Sequence, residues 1–279
     1  MMLSKSILEL LACPTCNNPQ LQVGSARRPA LVCEQCDQAF PIVDGIIDMT
    51  PSERNPAPGS YRTETLFNLI AGIYDLVAPL MSMGVWRCDP LRYVDMSNQA
   101  LGRGNKGVVV AAPIGTGMPL DRVLAPYHDL TLIGVDQSWK MLRKAKSRFA
   151  ASGEKVQLIR ADFQQLPFRD GVVDSLISFH GLHTFADRTK TLREFGRCLR
   201  ADGFMTGAAL VRGQEGVADT LLDRYERYGV YPLLRTAEFL TRELREGPFQ
   251  EVRFSTYGAV MFYSALRNGL EQAHIEDAS

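Results

Sequence analysis

Short apolar runs alternate with helical patterns over most of the second half of the chain. Apolar runs of about four to eight residues bounded by turn residues are typical of strands buried inside a sheet. They predict strands near residues 108–112, 131–135, 156–160, 173–178 and 203–211, with helices near 138–150 and 186–200. Strands that alternate with helices at this spacing are joined by right-handed crossovers and run parallel. The pattern therefore predicts an α/β fold, a mostly parallel sheet with helices on both faces.

Helical patterns also precede and follow this region. Apolar residues at spacings of three and four predict a helix from Tyr61 that Pro79 should end or kink. The rest of the chain is predicted to form helices over 89–101, 217–228 and 238–244, two strands over 249–267, and a polar tail over 269–279.

Composition and charge exclude few classes of protein. The chain has 31 Lys and Arg against 31 Asp and Glu, so no overall field draws it to nucleic acid or an anionic membrane. The N-terminus lacks the sustained apolar core of a secretory signal. The stretch nearest to a membrane span, 66–86, carries Asp75 and Pro79 near its middle and is periodic, so no integral membrane association is expected. These features predict a cytoplasmic protein.

A segment rich in Pro, Ser and Gly, TPSERNPAPGS, lacks any apolar period and is typical of a linker. It divides the chain into a predicted small N-terminal domain and a larger α/β domain. The predicted boundaries are 1–50 for the small domain, 51–60 for the linker, 61–106 for a helical cover, 107–268 for the α/β domain and 269–279 for the tail.

Four cysteines near the N-terminus form two CxxC pairs. Cys13 and Cys16 make the first pair, Cys33 and Cys36 make the second, and sixteen residues separate them. Each CxxC turn directs two thiolates at one centre, and two such turns complete the tetrahedral set of four sulfurs that zinc prefers. We therefore predict a structural zinc site; four unrelated thiols or a redox pair are the alternatives.

A glycine-containing turn follows the first strand of the α/β region, and an acidic residue ends the next strand. Gly115 and Gly117 let the backbone turn tightly and approach a ligand closely. Asp136 follows Gly117 by nineteen residues, close to the ~20-residue offset at which an acidic side chain binds ribose hydroxyls. The pattern predicts a nucleoside site. A dinucleotide site is disfavoured, because Leu120 stands where its third glycine would lie.

The N-terminal region resembles the Trm112-like zinc-ribbon family. The matching segments are LLACPTC at 10–16, LVCEQC at 31–36 and FPIVDGIIDM at 40–49. In that family a ribbon partners methyltransferases that act on RNA or protein, or is fused ahead of a methyltransferase domain. The resemblance therefore implies a Trm112-like zinc ribbon and suggests RNA or a protein as a partner through it.

Residues 61 to about 265 resemble class I S-adenosylmethionine-dependent methyltransferases of the type 11, quinone-methyltransferase-like group. The resemblance lies in RADFQQLPFRDGVVDSLIS at 160–178 and FGRCLRADGFMTGAAL at 195–210. It implies a seven-stranded Rossmann-like sheet with S-adenosyl-L-methionine as cofactor. The residues that match the family's cofactor contacts are Gly115, Thr116, Gly117 and Asp136 for methionine and ribose, and Gln137, Asp162 and Phe163 for adenine.

Two positions of the glycine loop depart from the family pattern, which reads acidic-x-Gly-x-Gly-x-Gly. Ala111 occupies the acidic position and Pro113 the position of the first glycine. Both belong to the predicted cofactor site, where the missing carboxylate normally helps to position the methionine end. Proline also fixes φ and removes an N–H, which changes the turn. These departures keep open a non-catalytic domain that binds a partner protein as a scaffold.

The sequence compels no catalytic residue. Methyl transfer from a sulfonium is accelerated by positioning, and a base is needed only where the acceptor must lose a proton. His180 and His183 follow the fourth strand, where the family places residues near the transferred methyl, and histidine suits a base at neutral pH. Tyr74 is the third candidate, from the segment FNLIAGIYD at 67–75 that resembles the family's active-site cover. A hydrogen-bonded structural pair is the alternative for the histidines, and a helix that merely packs on the sheet is the alternative for the cover.

We therefore expect S-adenosylmethionine-dependent methyl transfer to a small-molecule acceptor of aromatic, quinone or natural-product type. The balanced charge and the apolar cover favour this acceptor class. RNA base methylation is the alternative, since fusions of a ribbon with a methyltransferase resemble rRNA guanine methyltransferases. The scaffold that binds a partner protein is the second alternative.

Overall fold

The computed structural model describes residues 5–24, 29–51, 74–104, 106–214, 216–228, 230–231 and 234–269. The strands in these ranges are β1 (Leu21–Val23), β2 (Ala30–Cys33), β3 (Ala39–Val43), β4 (Ile46–Asp48), β5 (Val108–Ala111), β6 (Thr131–Asp136), β7 (Gln157–Arg160), β8 (Val173–Phe179), β9 (Leu199–Leu210), β10 (Phe249–Tyr257) and β11 (Val260–Arg267). The helices are α1 (Lys5–Leu8), α2 (Tyr74–Gly84), α3 (Leu91–Arg103), α4 (Leu120–Val123), α5 (Trp139–Ser152), α6 (Arg188–Cys198), α7 (Val217–Arg227) and α8 (Ala237–Glu246).

The strands form one sheet in the order β1-β2-β3-β4-β7-β6-β5-β8-β9-β11-β10. From β4 to β9 every neighbouring pair is parallel, and β11 runs antiparallel between β9 and β10. The predicted α/β class with a mostly parallel sheet is confirmed. The predicted seven strands correspond to β5–β11, but the whole sheet of the described chain has eleven, because the N-terminal strands continue it.

Strand β4 is what joins the N-terminal region to the rest of the sheet. It pairs in parallel with β7, so that Ile46 lies opposite Leu158 and Ile47 opposite Ile159. Ile46 and Ile47 are fully buried on opposite faces, each in a different core cluster. A strand buried on both faces is typical of a sheet interior. The four cysteine-region strands are therefore an extension of the main sheet, and the N-terminal region shares its core.

Alternate residues of the central strands face two separate helical layers. Val109 and Ala111 of β5 pack in a cluster with α3, α4 and α5. Val110 packs in another cluster with α6, α8 and the N-terminal segment. This two-residue period explains why the strands read as continuous apolar runs, since both of their faces are covered.

Of the two outcomes predicted at Pro79, an end or a kink of the helix, the first does not occur, because α2 continues to Gly84. Pro79 removes one hydrogen bond, the one that its N–H would donate to the carbonyl of Asp75. Contacts beyond the proline keep the helix intact: Met81 packs on a core cluster, and the Ser82 hydroxyl donates to the Cys88 carbonyl at 2.9 Å. The part of the predicted helix before Tyr74 lies outside the described residues.

The predicted domain boundaries stay predictions. Most of the predicted linker and the first part of the cover fall in 52–73, outside the described ranges, as does nearly all of the tail. Within the described ranges, no helix is both long enough and apolar enough to cross a membrane.

Candidate functional site

A cavity of about 760 Å³ opens at the carboxyl ends of the parallel strands. In open α/β sheets, ligands bind at this edge. The cavity brings together eight of the nine residues that the sequence predicts for the cofactor: Ala111, Pro113, Gly115, Thr116, Asp136, Gln137, Asp162 and Phe163. Their roles in binding stay predictions.

Among the nine residues predicted for the cofactor, Gly117 alone does not line the cavity. Its φ is +85°, and a Cβ at this position would lie 2.8 Å from the Phe149 ring of α5. The glycine therefore serves the turn and its packing on α5.

Asp136 is held by backbone donors on both sides of its carboxylate. The Gly115 N–H donates to Oδ2 and the Ser138 N–H donates to Oδ1, both at 2.9 Å. The residue is 7% exposed and faces the cavity. Each carboxylate oxygen can accept a further hydrogen bond. The carboxylate is thus fixed in place where it faces the cavity.

Asp162 lies in a second polar group along the same edge. Its Oδ1 accepts from the Gln164 N–H at 3.0 Å and from Gln137 Nε2 at 3.3 Å. The neighbouring Phe163 ring packs against Phe185 with 5.2 Å between ring centroids. The carboxylate can accept a hydrogen bond from an exocyclic amine. The aromatic ring beside it can pack on the face of a base.

The structure brings to the glycine loop a carboxylate that was not among the predicted site residues. Asp75 of α2 accepts from Thr116 Oγ1 at 2.6 Å, from Arg148 Nη2 at 2.6 Å and from Lys144 Nζ at 3.0 Å. Burial raises the pKa of Asp75, but the Thr116 hydrogen bond and the two cations outweigh burial and hold the pKa below its usual value. Asp75 lines the cavity, whereas Ala111 has no carboxylate to offer.

Helix α2 covers one side of this cavity. Its lining residues are Asp75, Val77, Ala78, Pro79, Met81 and Ser82. The segment 67–75 that resembles the family's cover lies outside the described residues except for its last two positions, so the choice between a cover and a helix that packs on the sheet stays open. Nothing is described of the Tyr74 side chain, so its candidacy is untested.

His183 forms a hydrogen bond with the backbone at the edge of the site. Its Nδ1 accepts from the Leu210 N–H at 3.2 Å, which places the ring proton on Nε2. Burial, with smaller contributions from His180 and Arg188, holds the pKa of His183 well below its usual value. This hydrogen bond matches the structural alternative for His183.

His180 pairs instead with a side chain that the sequence analysis missed. The Tyr93 hydroxyl of α3 lies 2.8 Å from His180 Nε2, and both residues line the cavity. Burial lowers the pKa of His180 to about 4, so the ring is neutral near pH 7. A base works best with a pKa near the working pH, so this ring is better suited to hydrogen bonding than to proton abstraction. The sequence gives no motif for Tyr93, which lies in an ordinary amphipathic helix.

The four N-terminal cysteines form a closed cluster. Their Sγ atoms all lie within 4.8 Å of one another. Asn17 and Asp37 follow the two CxxC pairs, both with φ of +57°, and their N–H groups donate to the carbonyls of Cys13 and Cys33. The two turns are therefore close copies of each other.

The spacing within the cluster fits a tetrahedral metal. The Cys13–Cys36 and Cys16–Cys33 sulfurs lie 3.7 and 3.5 Å apart. Four ligands at the ~2.3 Å of a zinc–sulfur bond would be separated by about 3.8 Å. The donor set of four sulfurs is the one found in structural zinc sites, with no position left for a substrate.

Comparison with known proteins identifies the family. The ubiquinone/menaquinone biosynthesis C-methyltransferase UbiE of Syntrophotalea carbinolica is 31% identical over 144 residues, which are 50% of this chain and 58% of that protein. The protein of the same name from Desulfotalea psychrophila is 30% identical over 174 residues, 61% of this chain and 67% of the relative. The chain belongs to the UbiE-like S-adenosylmethionine-dependent methyltransferases. The family described as a methyltransferase domain matches residues 112–206, across the glycine loop, Asp136 and Asp162.

The N-terminal region carries a second family match, to Trm112p-like protein over residues 4–45. A solved complex between the Haloferax volcanii Trm112 methyltransferase activator and a methyltransferase superposes on this chain with a TM-score of 0.55. It is 18% identical, covering 72% of this chain and 97% of that one. This likeness concerns the fold alone. A Trm112-like region and a methyltransferase domain are thus present in one chain.

Proposed function

We propose that this chain transfers the methyl group of S-adenosyl-L-methionine to a small quinol-like or phenolic acceptor. The observation that carries the proposal is one continuous cavity with two kinds of wall. The fixed carboxylates of Asp136 and Asp162 lie at the glycine-loop side. The other side is mainly apolar and aromatic, and it includes Met81, Trp86, Leu91, Phe179 and Tyr231.

The polar wall fits the nucleoside part of the cofactor. Asp136 would accept from the ribose hydroxyls and Asp162 from the adenine amine, with Phe163 and Gln137 beside the base. Gly115 and Thr116 would follow the methionine part. The cofactor supplies a methyl on a positive sulfonium, which reacts without metal or redox chemistry by the chain.

The apolar wall fits a flat, uncharged acceptor. In the proposed reaction a ring carbon of the acceptor forms the new bond to the methyl carbon while the bond from that carbon to sulfur breaks. The ring carbon then loses its proton to water, and the products are the methylated ring and S-adenosylhomocysteine. The chain contributes orientation and exclusion of water, through the cavity walls and the cover α2.

We propose that the cysteine cluster holds one structural zinc ion. The four sulfurs at tetrahedral spacing support this, and a closed S4 site supplies folding energy rather than chemistry. The small strands β1–β3 have little core of their own, so the metal would hold them in shape.

Three of the five basic residues of α5 make contacts within the protein, which weakens the case for RNA as the acceptor. Lys144 and Arg148 bind Asp75, Arg148 also binds Asp121 at 2.9 Å, and Lys146 donates to the Asp44 carbonyl. Cations used inside the protein are not available to phosphates, on which RNA affinity depends. A partner protein at the Trm112-like region, and a cytoplasmic location, stay predictions.

The test is methyl transfer from labelled S-adenosylmethionine by the zinc-loaded protein. Reduced 1,4-naphthoquinone serves as the quinol acceptor, and an rRNA transcript is offered separately. The expected result is a naphthoquinol product heavier by one methylene, made by the wild type and not by Asp136→Ala. Label in the transcript and none in the quinol would overturn the acceptor class. No transfer to either, by a protein that binds no cofactor, would favour the scaffold alternative.

A further inference from the structure

Two polar side chains that face the cavity, Tyr93 and His180, have no role in the reaction proposed above. Tyr93 of α3 and His180, just after β8, stand 87 positions apart in the chain, yet Tyr93 Oη lies 2.8 Å from His180 Nε2. Both side chains face the cavity. A tyrosine hydroxyl both donates and accepts hydrogen bonds, so one hydroxyl can contact a histidine and a ligand together.

Three aromatic contacts hold the Tyr93 ring in position. Its centroid lies 5.4 Å from the Phe179 ring and 5.1 Å from the Phe262 ring, both in edge-to-face arrangements, and 5.4 Å from the His180 ring. Edge-to-face packing fixes the orientation of a ring as well as its place. These ring contacts therefore fix the position of the Tyr93 hydroxyl as well.

His180 is held in a backbone conformation that non-glycine residues rarely adopt. Its φ is +57°, and its N–H donates to the Ala208 carbonyl at 2.6 Å. Strained residues of this kind persist where the surrounding structure enforces them, and they concentrate at functional sites. In this conformation the imidazole lies beside Tyr93.

We propose that Tyr93 is the catalytic residue that hydrogen-bonds an oxygen atom of the acceptor, and that His180 is a positioning residue that orients the Tyr93 hydroxyl. This inference rests on the proposed function and deepens it by assigning the residues that recognise the hydroxyl of the acceptor ring. In the arrangement proposed, the acceptor hydroxyl donates to Tyr93 Oη and the Tyr93 hydroxyl donates to His180 Nε2.

The chemistry of a quinol explains why such a contact would assist the reaction. As the ring carbon attacks the methyl, electron density moves from the ring oxygen towards that carbon and makes the O–H a stronger donor. A hydrogen bond to Tyr93 therefore strengthens on the way to the transition state, and interactions of that kind raise kcat. A neutral His180 suits this role, because it would accept from Tyr93 without adding a positive charge to a cavity that would also hold a sulfonium.

The test compares two ligands that differ by one hydroxyl. Binding of 1-naphthol and of naphthalene is measured by calorimetry on zinc-loaded protein saturated with S-adenosylhomocysteine. We expect the wild type to prefer 1-naphthol by about tenfold, the typical effect of one hydrogen bond in a buried site. Tyr93→Phe should lose this preference, His180→Asn should reduce it, and Tyr257→Phe should retain it. Asparagine is chosen because it tolerates positive φ, and Tyr257 lies beside Phe262 without lining the cavity.

Two results would overturn the proposal. One is equal affinity of the wild type for the two ligands; the other is a full preference retained by Tyr93→Phe. The affinity for S-adenosylhomocysteine, measured in each variant, separates this failure from that of the proposed function, which would remove cofactor binding or methyl transfer from the wild type. With reduced 1,4-naphthoquinone, Tyr93→Phe should lower kcat by more than it raises KM, a split that mere loss of packing would not produce.

Discussion

Asp48 of β4 and Arg160 of β7 form an ion pair, with 3.2 Å between Asp48 Oδ2 and Arg160 Nη1. The same guanidinium donates through Nε to the Gln137 carbonyl at 2.8 Å. Gln137 lines the cavity and bonds Asp162. A continuous set of polar contacts thus runs from β4 to the predicted adenine site.

This connection predicts a double effect of Arg160→Gln. The substitution leaves Asp48, which is 18% exposed, without its cation and removes a donor to Gln137. We expect a loss of about 1–3 kcal/mol in the free energy of unfolding, together with weaker binding of S-adenosylhomocysteine. Urea denaturation and calorimetry measure the two. Arg253→Gln is the control, since its pair with Glu251 is exposed and should contribute little. An unchanged affinity in Arg160→Gln would show that the contact does not reach the cavity.

The cysteine cluster predicts one zinc per chain and dependence of the whole sheet on it. Because β4 is buried between β3 and β7, loss of the metal should lower the Tm of the single unfolding transition rather than release an independent domain. Zinc is counted by mass spectrometry of the native protein, and Tm by calorimetry. Cys33→Ser should lower both. The buried Cys88, outside the cluster, offers the matched control Cys88→Ser, which should keep one zinc. A full zinc content in Cys33→Ser would contradict the assignment.

The two loop glycines predict different defects. Gly117→Ala would place a Cβ 2.8 Å from the Phe149 ring at a φ of +85°, so it should destabilise the fold by more than the ~1–2 kcal/mol that a left-handed conformation alone costs. A Cβ on Gly115, where φ is +57°, would meet no atom of the described residues within 4 Å but would enter the cavity. Gly115→Ala should therefore cost only the ~1–2 kcal/mol of the left-handed conformation, less than Gly117→Ala, and should reduce cofactor affinity more than Gly117→Ala does. Urea denaturation and cofactor titration separate the two, and the reverse ranking would contradict these positions.

The buried imidazole of His180 predicts a pH effect on stability. Its pKa of about 4 lies below the ~6.5 of an unfolded chain, so between these values the unfolded state binds more protons. The free energy of unfolding should fall as the pH drops from about 6.5 to 4, by up to about 3 kcal/mol from this residue. His180→Asn should show a shallower decline in denaturation at pH 7, 5.5 and 4.5, both because it lacks this imidazole and because His180 also helps to hold the pKa of His183 low. Parallel curves would contradict the burial of His180.

The predicted site residues that the structure brings to one cavity are those whose placement follows from nearby residues in the chain. A strand, a glycine turn and an acidic residue near a fixed offset define one crossover unit, so the order of residues along the chain is enough to place Gly115 and Asp136 together. The two CxxC pairs work in the same way, because each turn is local and only one geometry suits four thiolates.

Residues that reach the site from packed helices could not be predicted in this way. Asp75 and Tyr93 lie on α2 and α3, and their positions depend on how each helix packs against the sheet. The same holds for β4: its apolar Ile46 and Ile47 are evident in the sequence, but its pairing with β7 spans more than 100 residues. A short apolar segment does not indicate which distant strand it will pair with.

The most direct test of the cofactor site is calorimetric titration of the zinc-loaded protein with S-adenosylhomocysteine. We expect micromolar binding by the wild type and by Asp129→Ala, an exposed carboxylate outside the cavity. Asp136→Ala and the nearly isosteric Asp136→Asn should weaken binding by at least about tenfold, because each loses the charged acceptor at the ribose. Equal binding by all four proteins would contradict the assigned cofactor site. No binding by the folded, metal-loaded wild type would contradict the methyltransferase proposal itself.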